Sequence, residues 1–185
     1  RMGARTAILL AACVAVQGGI AWILGPTARD VLRLQTTCFT TASFNAIAGS
    51  WTGEDLARFR GHFMLDGWYP ILYGAMLRSR AWDLAPPSKA RLRLMAFASI
   101  AASMDMVENA LHWHVVHWGV TGTPMWMIPA AAIAAWIKWI LVIPLCIVLR
   151  PGQARWKAPG PHRAHPAQAA PPKAESQQGR KKKKQ

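Results

Sequence analysis

Apolar and polar positions alternate along the chain in long blocks, and four of these blocks are candidate membrane spans. A helix needs about 20 apolar residues to cross a hydrocarbon core of roughly 30 Å. The second block is short and contains Asp66 and Pro70, so it is the weakest of the four. The pattern predicts an all-α integral membrane four-helix bundle, residues 1–150, with spans at about 7–24, 62–78, 94–116 and 126–149.

The third block carries four polar residues at i, i+3, i+4 and i+7, a spacing that places them on one face of a helix. They are Asp105, Glu108, Asn109 and His112. A carboxylate in hydrocarbon costs about 3 kcal/mol even on the mildest insertion scale. Both acids are therefore expected to face the inside of the bundle, where they pair with other groups or keep a proton.

Two further ionisable residues lie within the other blocks, Asp66 in the second and Lys138 in the fourth. We count about 1.5 Å per residue from outer ends placed near His62, Val116 and Trp126. The count predicts an outer pair of Asp66 with His112, and a central pair of Lys138 with one acid of the third block. The candidate intramembrane polar cluster is Asp66, Asp105, Glu108, Asn109, His112 and Lys138.

One lysine cannot neutralise two acids, so at least one carboxyl is expected to hold a proton, which suits a proton donor or relay. The alternative is that these groups only fix helix packing, as polar residues between membrane helices do at roughly 0.6 to 2 kcal/mol per contact. The sequence leaves both interpretations open.

Residues 26–61 connect the first two spans, and we expect them to form an outer, extracytoplasmic segment of short helices, here called the outer segment. Thr27 is a plausible N-cap, and Thr52 with Asp55 approximates a capping box. Such a segment is longer than most connections, which favours a functional cap. It is also compatible with an amphipathic helix pair lying on the lipid headgroups.

Basic residues mark one side of the membrane. Arg5 precedes the first span, and the connection between the second and third spans contains Arg78, Arg80, Lys89, Arg91 and Arg93. By the positive-inside rule both ends of the bundle are cytoplasmic. The first span is expected to be retained, because the best cleavage candidate, Gly19-Ile20-Ala21, lies inside the apolar run.

Residues 151–185 are rich in Pro, Ala, Gln and Lys and are expected to form a disordered, basic cytoplasmic tail. Lys181, Lys182, Lys183 and Lys184 are the candidate contacts to anionic lipid, at about 1 kcal/mol per basic residue. Nucleic acid is not an expected partner, because aromatic residues do not interleave the charges.

No metal site or cofactor is predicted. His114 and His117 share a helix face, but a convincing third ligand is missing, so an interfacial polar belt is the preferred interpretation. The three cysteines follow no metal spacing. Nucleophile-elbow, phosphate-loop and zincin patterns do not occur either, so the sequence favours a protein that is not an enzyme without deciding the matter.

Several of these residues together resemble a group of functionally uncharacterised bacterial four-helix membrane proteins. The shared pattern is Leu34-Gln35, Trp51, Asp66 with Pro70 and Tyr73, and an intramembrane Asp-x-x-Glu-Asn at Asp105, Glu108 and Asn109. The resemblance covers roughly residues 31 to 111. It implies the four-helix architecture and the polar cluster, and it implies no reaction.

We expect a multi-pass protein of a bacterial inner membrane that contacts membrane lipids, and three functions remain open for it. The first is an accessory or regulatory subunit of a lipid-transport or other membrane complex, with the alanine-rich fourth span packed on a partner subunit. The second is a lipid or isoprenoid binding protein or enzyme that uses the acidic cluster for proton transfer. The third is a proton-linked channel or transporter.

Overall fold

The computed structural model describes residues 2–85, 87–119 and 121–150, and this part of the chain is built of helices and turns without strands. The predicted tail, including its four consecutive lysines, lies outside the described residues. The helices are α1 (Ala4–Leu24), α2 (Ala28–Thr37), α3 (Thr41–Ala48), α4 (Gly53–Asp66), α5 (Tyr69–Leu84), α6 (Lys89–Trp118) and α7 (Met127–Val148). A short 3-10 turn, Gly25–Thr27, joins α1 to α2.

Three helical segments are long and apolar enough to cross a membrane. They are Ala4–Thr37, which joins α1 and α2, together with α6 and α7. These three segments coincide with the first, third and fourth predicted spans. The expectation of an all-helical protein with membrane-compatible helices is therefore confirmed at this level.

The second predicted span, 62–78, is not one continuous helix. It is divided by a turn at Gly67 and Trp68, and its first part belongs to α4, which begins nine residues earlier, at Gly53. The two helices together accompany α1 along its length. Near one end the hydroxyls of Thr6 and Ser79 are 2.7 Å apart, and near the other Gly19 lies against Leu65.

Long side chains satisfy the open C-terminal ends of three helices. The last carbonyls of a helix have no partner within it, and in hydrocarbon an unsatisfied carbonyl costs several kcal/mol. Three donors reach such carbonyls at 3.0 to 3.1 Å: Arg60 reaches Val116 O of α6, Arg80 reaches Leu149 O beyond α7, and Trp136 reaches Thr36 O of α2. Each hydrogen bond also ties two helices together.

The outer segment folds as predicted at Thr52, where the capping box with Asp55 is complete at the start of α4. Thr27 differs from the expectation. It occupies the N-cap position of α2 without a side-chain capping bond, and its hydroxyl instead donates to Asp55 Oδ1 at 3.0 Å. Asp55 therefore joins the start of α4 to the turn between α1 and α2.

Small residues allow close contact between the central helices. A Cβ on Gly74 of α5 would lie only 2.8 Å from the Cβ of Ala102 on α6. On α7, which packs chiefly against α6, four alanines are at most 4% exposed: Ala131, Ala132, Ala134 and Ala135. Contacts within the chain bury these four alanines, whereas Ile133 of the same stretch is 53% exposed, so the expected contact with a partner subunit stays a prediction.

Gly25 is required at the turn between α1 and α2. Its φ of 49° lies in the region that residues with a Cβ avoid, and a Cβ there would be 2.5 Å from the guanidinium of Arg58. We expect Gly25→Ala to lower stability by about 1 to 3 kcal/mol, seen as a fall in Tm of the detergent-solubilised protein. Gly18→Ala is the matched control, since nothing lies within 4 Å of that position. Equal melting of both variants would contradict the strained turn.

Hydrogen bonds from the side chain and the backbone of Thr52, and then from Thr27, hold the pKa of Asp55 below its usual value of 3.8. A lowered folded-state pKa means that the ionised carboxylate stabilises the fold above about pH 4, and that this contribution is lost as the pH falls through the folded-state pKa. We expect Asp55→Asn to lower Tm at pH 7 and to differ less from wild type below pH 4.

Glu54→Gln is the control for this experiment, because Glu54 makes an exposed pair with Arg58, and such pairs contribute little. A Tm difference between Asp55→Asn and wild type that is independent of pH would contradict the role of the charge.

Candidate functional site

A buried lysine joins two acids across the interface of α6 and α7. Lys138 Nζ donates a hydrogen bond to Asp105 Oδ1 at 2.8 Å and lies 2.6 Å from Glu108 Oε2. The three residues are 0 to 5% exposed. Asp105 and Glu108 meet the same lysine because they are three residues apart on α6, and hence on one helix face.

The two carboxyls are not equivalent. Lys138 directs its well-formed hydrogen bond at Asp105, whereas neither oxygen of the fully buried Glu108 takes part in a hydrogen bond of good geometry among the described residues. The remaining close polar neighbour of Glu108 is His112, whose Nδ1 is 3.7 Å from Oε1. Lys138 is nevertheless within hydrogen-bond distance of both carboxyls.

Asp66 ends α4 beside this group of residues. Asn109 of α6 donates to its backbone carbonyl at 3.1 Å, which satisfies a carbonyl left free where α4 stops. The Asp66 carboxylate accepts no hydrogen bond from the described side chains, and its nearest ionic neighbour is His62 of the same helix, with Nε2 at 3.6 Å from Oδ2. His62 itself hydrogen-bonds the carbonyl of Phe59 through Nδ1.

The predicted two-layer arrangement is wrong in its outer layer. Among the described residues His112 contacts Glu108, and Asp66 contacts His62, each at a spacing of four residues on its own helix. The depth count began α4 at His62, but the helix begins at Gly53. Asp66 consequently lies deeper than expected, beside the same cavity as Asp105 and Lys138.

A cavity of about 610 Å³ opens beside the acidic cluster. Its polar wall contains Gln17 of α1, Gln35 of α2, His62 and Asp66 of α4, Tyr69 and Tyr73 of α5, Asp105 of α6, and Lys138 of α7. Apolar side chains extend the cavity in both directions, for example Leu10 and Val14 toward one end and Leu24 and Val31 toward the other. A polar centre between two apolar ends suits a largely apolar molecule with one polar group.

The cavity lies between α1 and α7 because these two helices pack on different neighbours. α1 packs chiefly on α4 and α5, and α7 packs chiefly on α6 and α2. α2 follows the turn at Gly25 and packs on α7, so that its residues Ala28, Val31, Leu32 and Gln35 form one wall. The cavity is therefore enclosed on several sides and bordered by two helices that also carry exposed apolar side chains, for example Trp22 and Ile140.

The structure brings the six predicted cluster residues together but gives them two positions. Asp66, Asp105 and Lys138 line the cavity, whereas Glu108, Asn109 and His112 are buried around it without lining it. The predicted cluster did not include five polar lining residues: Gln17, Gln35, His62, Tyr69 and Tyr73. Two signals were available, since Gln17 is the one strongly polar residue of the 7–24 block and His62 precedes Asp66 by four residues.

The cluster contains more acid than base. Three buried carboxyls, those of Asp66, Asp105 and Glu108, surround one lysine, and Lys138 lies against two of them. Aromatic rings complete the site, because Tyr69 and Tyr73 lie 5.3 Å apart and Lys138 lies 5.1 Å from the ring of Trp139. Such a site can accept hydrogen bonds from a ligand and can exchange protons with it.

Histidines outside the cluster lie at the end of α6. His117 stacks against Trp113 with ring centroids 5.9 Å apart, and His114 lies 6.2 Å from Trp118. Aromatic residues collect in this way at the membrane interface. Within the described parts of the chain, no group of three or more histidine, cysteine or acidic residues is arranged to hold a metal ion.

Comparison of the chain with protein-family models, with curated proteins and with solved structures gave no match.

Removing the lysine while keeping both acids should be costly. We expect Lys138→Met to destabilise the protein by about 3 to 5 kcal/mol, because Asp105 and Glu108 remain buried without a cation. Thermal unfolding in detergent measures the effect. The triple variant Lys138→Met, Asp105→Asn, Glu108→Gln is the control and should recover most of the loss. A single variant that melts like wild type would show that the ion pair contributes nothing.

Proposed function

We propose that this protein binds an amphiphilic molecule taken from the bilayer, a lipid or an isoprenoid, in the cavity between α1 and α7. The observation that carries the proposal is the position of Asp66. Its side chain is 13% exposed, lines an otherwise largely apolar cavity, and has His62, 3.6 Å away, as its nearest ionic neighbour among the described residues. A buried acceptor without a partner is costly, and a ligand that donates a hydrogen bond to it removes that cost.

The charges around the cavity limit the polar group of the ligand. Three carboxyls and one occupied lysine repel a phosphate and attract a hydrogen-bond donor. A hydroxyl or amine group satisfies Asp66, and the rings of Tyr69, Tyr73 and Trp139 pack against the adjoining carbon atoms. The ligand class is therefore a long-chain or polycyclic molecule with a small donor group, and Asp66 is the residue placed to exchange a proton with it.

The volume supports a ligand of moderate size. A cavity of about 610 Å³ lies within the range of about 300 to 1,000 Å³ that holds small molecules, and two acyl chains with a large headgroup exceed it. The ligand enters between α1 and α7, the two helices that border the cavity on its lipid side. Binding is the function that this geometry supports, and Glu108 and Lys138 maintain the position of the cavity wall.

We further propose that α4 and α5 together form a fourth crossing, because they accompany α1 along its length. The basic residues at the start of α1, near the end of α5 and the start of α6, and after α7 favour a cytoplasmic position for both ends of the bundle by the positive-inside rule. We therefore propose that it is a multi-pass protein of a bacterial inner membrane. The resemblance to small bacterial membrane proteins with an Asp-x-x-Glu-Asn element supports the same proposal.

The role of an accessory subunit has no comparable support. Its motivation was an alanine-rich face available to a partner, and the four alanines of that face are buried inside the chain. A proton-linked channel has no specific observation in its favour either.

The proposed function is tested by native mass spectrometry of the full chain extracted from its own membrane in mild detergent. We expect one amphiphile with a hydroxyl or amine group to remain bound. Asp66→Asn should reduce its occupancy about tenfold, the loss of one hydrogen bond to a charged group. Ala21→Phe should also reduce occupancy, since Ala21 lines the cavity and the phenyl ring of the variant would fill part of it.

Asp30→Asn is the matched control, because Asp30 lies on α2 outside the cavity lining and should leave occupancy unchanged. Thermal unfolding of each variant separates loss of binding from loss of fold. A wild-type protein that carries no amphiphile, or an Ala21→Phe variant that retains it, contradicts the proposal. A reproducibly bound protein partner in place of a lipid would favour the subunit role instead.

A further inference from the structure

A second concave surface lies on another side of α5. Its volume is about 760 Å³, and it is formed by α1, α5 and α6. α5 turns Tyr73, Met76 and Leu77 to the acidic cavity and turns Ile71, Gly74 and Arg78 to this second groove. The two sites therefore use different faces of one helix, and nothing in the proposed function involves the groove.

One end of the groove is cationic. Arg5 of α1 and Arg78 of α5 reach it from two helices, and both side chains are exposed. Arg78 is held in place by a hydrogen bond from Nη1 to Ser99 Oγ at 2.9 Å. Arginine binds phosphate through two parallel hydrogen bonds, so two arginines that converge on one surface suit a phosphate.

The acid at this end of the groove is already engaged. Asp83 Oδ2 accepts hydrogen bonds from the backbone N–H of Gly3 at 3.0 Å and from the hydroxyl of Thr6 at 2.8 Å. No ion pair joins Asp83 to Arg5 or Arg78 in the described part of the chain. Both guanidinium groups therefore keep donors for an anion.

The other end of the groove is mostly apolar, and the whole groove has the length of one bilayer leaflet. This end is lined by Pro70, Ile71, Ala102 and Met106, together with Ser103. From Pro70 to Asp83 the helix rises about 20 Å at 1.5 Å per residue. One leaflet, with its headgroup region, is about the same depth, since a whole bilayer measures roughly 40 to 45 Å.

We propose that this groove binds one anionic phospholipid, with its phosphate between Arg5 and Arg78 and an acyl chain along the apolar part toward Met106. Trp82 lies at the headgroup level of the groove; it is 61% exposed, and the guanidinium of Arg91 lies 4.2 Å from its ring centre. Tryptophan is enriched at this depth of membrane proteins. The apolar end favours a lipid over free phosphate, and the two cations favour an anionic headgroup over a zwitterionic one.

Trp82 supplies the measurement. The full chain is reconstituted in phosphatidylcholine vesicles that contain a low, equal fraction of either phosphatidylglycerol or phosphatidylcholine with brominated acyl chains, which quench nearby tryptophans. The difference between wild type and Trp82→Phe isolates the signal of Trp82. We expect brominated phosphatidylglycerol to occupy the site in preference to brominated phosphatidylcholine, by about fivefold for each arginine.

Arg5→Gln and Arg78→Gln should each remove about fivefold of that preference, and Arg78→Lys should retain more of it than Arg78→Gln. Arg33→Gln is the matched control, because Arg33 lies on α2, away from the groove, and pairs with Asp30. Every variant keeps the basic residues after residue 150, so their general attraction for anionic lipid is common to all samples. Thermal unfolding confirms that each variant is folded.

Equal quenching of Trp82 by the two brominated lipids overturns the proposal, and so does a preference that survives in folded Arg5→Gln and Arg78→Gln variants. Soluble glycerol phosphate tests the source of the phosphate. We expect no competition from it, and displacement of the brominated lipid by glycerol phosphate would show a site for free phosphate rather than for a phospholipid. Asp66→Asn should leave the quenching unchanged, so failure here is independent of the amphiphile in the acidic cavity.

Discussion

The contact of Lys138 with Asp105 and Glu108 is the interaction on which the rest of this structure depends. It unites α6 and α7, whose interface includes small residues of α7 that allow close approach: Ala131, Ala132, Ala134 and Ala135. Ionic groups between membrane helices are costly until they are paired, and only one sliding position of α7 along α6 pairs all three. The same contact fixes the wall of the cavity that the Asp66 carboxylate lines, where its nearest ionic neighbour is His62.

The break between α4 and α5 is the second constraint, because it sets the position of Asp66. In a continuous helix the backbone carbonyl of Asp66 would be bonded within the helix, and Asn109 would have no free carbonyl to bind. With the break, Asn109 satisfies the end of α4. Pro70 lies in the first turn of α5, where it has no N–H that needs an acceptor, and Asp66 remains beside the cavity. Packing and function are coupled here, since one amide stabilises the turn that places the carboxylate.

The polar groups discussed above are of two kinds: those whose hydrogen-bonding capacity is used by other groups of the chain, and those that retain unused capacity. Some side chains donate hydrogen bonds to backbone carbonyls, namely Arg60, Arg80 and Trp136. Others accept several hydrogen bonds each, namely Asp55 and Asp83. All of these groups stabilise the fold. Asp66 and the arginines of the second groove retain unused hydrogen-bonding capacity next to concave surfaces. The proposals rest on that residual capacity, because a satisfied group gives a ligand nothing to bind.

The sequence by itself determined the helical class, three membrane-compatible segments, the capping box at Thr52 and the inward face of Asp105, Glu108, Asn109 and His112, because periodicity and local capping depend on neighbouring residues. It did not determine the partner of Asp66, the break at Gly67 or the use of the alanines of α7 within the chain. Those depend on where each helix begins and on which neighbour it meets. Gln17, Tyr69 and Tyr73 reach one cavity from two helices, and only the tertiary structure decides such a meeting of residues distant in sequence.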